Sequence, residues 1–156
     1  MRIVIDPTRG RALWWPVVLW MLLLSGCAFN LVAEYDKVSE DRLMAAYEKV
    51  NQLYDNLAEA TPAERGYDKF AKAWADVSTD LRVVALRQKA RANNEESIKI
   101  VDKLIRNWEK TRGEHKERSA DPQQRGDPYR ATRIELDRAQ FEAQFAAAVA
   151  AERFKK

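Results

Sequence analysis

Cys27 and His115 are the only cysteine and the only histidine among the 156 residues. These two side-chain types most readily supply a nucleophile, a general base or a transition-metal ligand near neutral pH. His115 lies in Arg112-Gly113-Glu114-His115-Lys116-Glu117, a charged stretch expected to form an exposed helix end. Catalysis there would need a nucleophile or a second ligand held beside the imidazole. A di-metal bundle site would need Glu-x-x-His on two helices; here the residue three before His115 is Arg112 and no second histidine exists. Asp76 and Asp80 are four apart and could face a cation together, but they flank Val77 and Leu81, which reads as a solvated face. Glycine-rich phosphate loops, Cys-x-x-Cys, His-Glu-x-x-His and Gly-x-Ser-x-Gly are all missing from the sequence. The expectation is a non-enzymatic protein with no metal and no cofactor.

The basic residues show more order. Lys99, Lys103, Arg106 and Lys110 recur at helical spacing and would form one ridge, interrupted only by Asp102 and Glu109 nearby. Arg82, Arg87, Lys89 and Arg91 crowd a second stretch. An ordinary solubilising face explains both. The functional alternative is contact with an anionic lipid, lipopolysaccharide or an acidic partner.

A different chemistry is written near residue 27. Arg2, Arg9 and Arg11 precede the apolar run Leu13 to Leu24, twelve residues interrupted by Pro16, and Ser25-Gly26 then lead to Cys27. The apolar run is short of the roughly 20 residues that a spanning helix needs. A basic start, a short apolar core and small residues make a secretory signal. Leu24-Ser25-Gly26-Cys27 resembles the lipobox of bacterial lipoproteins. That resemblance implies cleavage before Cys27, a diacylglyceryl group on its sulfur and a further acyl chain on its amine. Two or more chains hold a protein stably at a membrane, whereas one is marginal. Ala28 follows the cysteine, where an aspartate would favour inner-membrane retention in enteric-type bacteria. The resemblance therefore implies a cell outer membrane location, lipid-anchored and facing the periplasm. No disulfide can then form, and stability rests on packing.

The organisation expected is a signal peptide over 1–26, a lipidated start and short tether or irregular helix over 27–38, and a helical domain over 39–156. Removing Arg2, Arg9, Arg11 and Asp6 leaves 24 basic and 23 acidic residues, a near-balance that argues against a nucleic-acid partner. After residue 26 only Gly66, Gly113 and Gly126 remain among the glycines, and Ala, Glu, Lys, Arg and Leu dominate, which favours helix.

Four apolar stripes follow one another. Leu43, Tyr47, Val50, Tyr54 and Leu57 mark a helix from about Ser39 to Ala60. Thr61-Pro62-Ala63-Glu64 has the composition of a capped start for the next helix, whose face is Tyr67, Phe70, Trp74, Val77, Leu81 and Val84 and which extends toward Arg91. Asn93 or Asn94 caps a third, with Glu95 and Glu96 in its first turn, Ile98, Val101, Leu104, Ile105 and Trp108 inside, and Gly113 as its stop. After a loop over 119–127, Asp127-Pro128 opens a fourth helix with Ile134, Phe141, Phe145, Ala148 and Val149 inward, and Leu136 and Phe154 as marginal members. Trp74 is placed against the first and third helices, and Trp108 nearer one end. Short connections favour an all-α, antiparallel up-down-up-down four-helix bundle. A three-helix core with a loosely docked first or last helix is the alternative.

Together these features predict a lipid-anchored helical module that binds another envelope protein, with membrane lipid as its second partner through acylated Cys27. The alternative is a binding protein for a small apolar or anionic envelope ligand, in which Tyr47, Tyr54, Tyr67, Trp74 and Trp108 line a pocket instead of filling a core.

Overall fold

Leu43, Ala46, Val50, Leu53, Tyr54 and Leu57 lose essentially all contact with solvent, which they can do only if one side of their helix is pressed against others. The structure, a computed structural model, describes residues 33–156. They form four helices: α1 (Lys37–Glu59), α2 (Tyr67–Lys89), α3 (Glu95–Ala120) and α4 (Ala131–Arg153), with a single 3₁₀ turn (Pro62–Glu64) between α1 and α2. Each helix packs on its neighbours in sequence and α4 closes against α1, so the cross-section is a square in an antiparallel bundle. All four helices contribute to one core, and no helix is loosely docked. Among the described residues no helix is long and apolar enough to cross a membrane. Residues 1–26, Cys27 and the tether to residue 32 lie outside the described residues.

The second stripe is buried in full, from Tyr67 through Val84, and Trp74 is completely enclosed. Its ring lies edge-on to Tyr54 of α1 at 6.3 Å and packs on Trp108 of α3 at 4.4 Å. Trp108 is not near a bundle end. It lies midway along α3, also meeting Phe141 of α4 at 5.1 Å. Tyr47, Ile98 and Ile105 are half-buried, while Leu136 and Phe154 are 60% and 90% exposed and do not join the core.

The helix ends depart from the sequence reading in instructive ways. α1 begins two residues early because Asp36 accepts from the Val38 N–H at 3.0 Å and from the Ser39 hydroxyl at 2.7 Å. Thr61 and Glu64 do make a reciprocal cap, the carboxylate accepting from the Thr61 N–H and hydroxyl, but it closes the 3₁₀ turn and not α2. α2 starts at Tyr67, whose N–H donates to Ser119 Oγ on α3 at 2.9 Å. α2 ends at Lys89, short of Arg91, where Asn94 donates its amide to the Gln88 carbonyl at 2.9 Å. Asn94 thus stands at the N-cap of α3, where its carbonyl accepts from the Ile98 N–H at 3.0 Å, but its side chain closes α2 and makes no cap hydrogen bond to α3.

Gly113 does not stop α3, which runs on to Ala120. The residues on either side of it are tied to α2 and to the connection before it, through Arg112 Nε to Tyr67 Oη at 2.9 Å, His115 and Ser119. These ties outweigh the weak helix propensity of one glycine. Asp127-Pro128 does not open α4 either. Tyr129 leaves the surface entirely to place its ring in the core, so the chain bends at Pro128 and Tyr129 and the helix begins only at Ala131.

Candidate functional site

Helix α3 carries the basic ridge as expected from its spacing. Lys99, Lys103, Arg106 and Lys110 are all exposed on one side, along about 17 Å at 1.5 Å per residue. Lys99 pairs with Glu96 at 2.7 Å and Lys110 approaches Glu114 at 3.9 Å, both within α3. Lys103 and Arg106 make no ion pair among the described residues. The middle of the ridge is therefore its uncompensated part.

The second basic cluster has a different fate. Arg82 reaches Glu109 at 3.4 Å and Lys89 reaches Asp102 at 3.1 Å, so the acids that interrupt the ridge are taken up by α2. Arg87 grips Asp36 at 2.8 Å and Arg91 grips the buried Glu152 at 2.9 Å. Burial opposes ionisation of Asp36, but hydrogen bonds from Ser39 and Arg87 outweigh it and hold its carboxyl at about 2. Burial likewise opposes ionisation of Glu152, yet Lys155, the Asp36 N–H, Arg91 and Gln88 together keep its pKa below the usual glutamate value. These arginines stitch α2 to the segment before α1 and to the end of α4.

His115 is not at an exposed helix end; it is fully buried. The indole N–H of Trp74 donates to its Nδ1 at 3.1 Å, and because indole is only a donor, the ring proton sits on Nε2 and is given to the Arg65 carbonyl at 2.8 Å. Tyr129, Tyr67, Trp74 and Phe70 surround the ring at centroid distances of 4.5 to 6.5 Å. Burial first, opposed by the Arg65 hydrogen bond, drives its pKa down to about 4. Both ring nitrogens are engaged, by the Trp74 indole and the Arg65 carbonyl.

Below the histidine, polar groups are joined in a chain. Tyr54 and Tyr129 hydroxyls meet at 3.4 Å, Tyr129 donates to Asp137 at 2.6 Å, and Arg133 donates to Asp137 at 2.8 Å and to Glu114 at 2.6 Å. Burial pushes both phenols far above the ordinary tyrosine value, so each stays a neutral hydrogen-bonding group. Tyr129, which lies outside the helices, carried no periodic sign in the sequence. Asp137 carried one, three residues after Ile134 and four before Phe141. So did His115: it continues the three-and-four spacing of Val101, Leu104, Trp108 and Thr111.

Asp76 and Asp80 face solvent and bind lysines, Lys72 at 2.5 Å and Lys49 at 2.6 Å respectively. Among the described residues no group of three His, Cys, Asp or Glu side chains is placed to hold a metal ion. Where α3 passes to α4, an open cleft of about 530 Å³ is bordered by Arg118, Arg130 and Arg133, with Asp127 and Thr132. Arg118 and Arg133 already share Glu114, so only Arg130 adds a cation without an acid of its own.

The buried His115, Tyr54, Tyr129 and Asp137 are hydrogen-bonded to one another or to neighbouring groups, while Lys103, Arg106 and Arg130 are exposed cations without an ion pair among the described residues. No family model, no curated protein and no solved structure matches this chain.

Proposed function

We propose that this protein is a lipid-anchored helical module of the bacterial envelope that holds the outer side of α3 toward an acidic protein partner. The observation that carries the reading is the pair Lys103 and Arg106, two exposed cations whose neighbouring acids, Asp102 and Glu109, are drawn away by Lys89 and Arg82. That arrangement exposes net positive charge on an otherwise near-neutral domain, and such a patch steers an acidic surface into register. The lipobox-like Leu24-Ser25-Gly26-Cys27 supplies the location. Affinity capture from membranes with the intact protein, beside a variant carrying Lys103→Glu and Arg106→Glu, tests it. A partner retained by the first and lost by the second supports the reading; an identical set of captured proteins rejects the ridge as the interface.

One observation favours a second reading, a small anionic ligand. Arg118, Arg130 and Arg133 converge on the cleft beside the first turn of α4, which contains no acidic residue. Calorimetric titration with inorganic phosphate and with a short-chain carboxylate would show saturable heat that Arg130→Ala removes. Absence of heat at millimolar ligand rejects it.

A further inference from the structure

The antiparallel order puts the starts of α1 and α3 and the ends of α2 and α4 at one end of the bundle. Ala33 enters at that end, its N–H held by the Asn93 carbonyl at 3.0 Å. Among the described residues, three of the five exposed large apolar side chains sit there: Val38 at 45%, Leu86 at 70% and Phe154 at 90%. They are tied to one another through the charged groups between them. Leu86 precedes Arg87, which grips Asp36 two residues before Val38. Phe154 follows Arg153, whose Nε donates to Glu40 two residues after Val38 at 2.6 Å. The carboxylates of Asp36, Glu40 and Glu152 are all spent on these internal pairs.

We infer that this end of the bundle docks on the phospholipid surface, with Val38, Leu86 and Phe154 entering the headgroup region, so that the bundle stands upright on the bilayer. The inference rests on the reading of Cys27 as the acylated residue, and the length of the chain supports it. Five residues lie between Cys27 and Ala33, so the six steps from one to the other reach at most about 21 Å even fully extended. Helix α1 with its 23 residues is about 35 Å long. An anchor at residue 27 therefore tethers the Ala33 end near the lipid, while the start of α4 lies a helix length farther away.

Contact is apolar in character. Glu34 and Glu95 are exposed at the same end and oppose anionic headgroups, while Lys37 and Lys156 are already paired with Asp41 and Glu40. Docking is thus expected to be insensitive to salt, unlike a polybasic contact. It also leaves the α3 ridge free along the side of the bundle.

Spin-label accessibility in the acylated protein tests this. With Cys27 acylated, Leu86→Cys, Lys103→Cys and Thr132→Cys each supply the only free thiol, all at exposed positions that leave the core intact. The labelled proteins are reconstituted in vesicles of phosphatidylethanolamine and phosphatidylglycerol and probed with an aqueous nickel complex. Collision with the label at residue 86 should fall several-fold relative to residue 132, with residue 103 resembling 132. Protection at residue 103 instead would mean that the bundle lies on its α3 side, and equal exposure at all three would mean that it does not dock; either result overturns the inference. Palmitate incorporation in the same preparation reads the anchor separately. Acylated protein with three equally exposed labels rejects docking alone, whereas protein without palmitate rejects the anchor and the docking with it.

Discussion

Trp74 donates its indole N–H to Nδ1 of His115 at 3.1 Å, joining the middle of α2 to the last third of α3 inside an aromatic cage. The other ring nitrogen is spent on the Arg65 carbonyl, in the short connection that precedes α2. One imidazole therefore ties together two helices and the link that sets their register. Arg65 completes the tie, since its guanidinium donates to the carbonyls of Leu57 and Ala60 at the end of α1, at 2.9 and 3.1 Å.

This arrangement makes stability depend on pH in a defined window. The folded pKa of His115 lies near 4, below the ordinary value of 6.5, so the unfolded chain binds the proton more readily between those limits. Stability is full above about pH 6.5 and is lost as pH falls toward 4, at up to about 1.4 kcal/mol per pH unit. His115 is the only histidine, so His115→Gln should flatten the urea-midpoint profile between pH 7 and 5 whatever its absolute stability. A profile equally steep in that variant would assign the dependence elsewhere.

Trp74→Ala removes both the donor to His115 and the largest side chain of the α2 stripe. Loss of a buried tryptophan costs about 3–5 kcal/mol, and small domains hold roughly 5–15 kcal/mol in all. Its melting temperature should drop sharply, or folding should fail. Circular dichroism that shows near-unchanged melting would contradict the enclosed position of Trp74.

Gly113 offers the opposite test. It lies inside α3 without positive φ, and a Cβ built there meets nothing within 4 Å. Gly113→Ala should raise stability by about 0.5–1 kcal/mol, because alanine loses less backbone freedom in a helix interior. A fall in the urea midpoint would mean that α3 does not continue through residue 113.

Tyr129→Phe probes the buried polar chain. It takes one donor from Asp137, which is only 2% exposed, and should cost about 1–3 kcal/mol. Pairing it with Asp137→Ala in a double-mutant cycle should show coupling between the two; additive losses would mean that the hydroxyl and carboxylate act independently.

The helices were legible because their apolar residues recur every three or four positions, and that pattern depends on nothing beyond the helix itself. Tyr67, Phe70, Trp74, Val77, Leu81 and Val84 are buried as their spacing requires. The ends were harder, because they are decided by groups distant in sequence. Ser119 sets the start of α2, Asn94 its end, and the pull of Tyr129 into the core delays α4. His115 was misread because its immediate neighbours are charged, although Thr111 and His115 extend the Trp108 stripe by the same spacing. The ridge was legible as a position on α3. Which of its cations remain uncompensated was not, since that depends on Arg82 and Lys89 reaching across from another helix.

The proposed anchor depends on one sulfur atom. Cys27→Ser removes the only thiol in the chain and leaves every side chain of the bundle in place. Cells expressing either form are labelled with radioactive palmitate, and the membranes are then washed with carbonate. The wild type should carry the label and stay with the membranes, and Cys27→Ser should carry none and be released. Label on the substituted protein, or an unlabelled wild type, would contradict the anchored module proposed here.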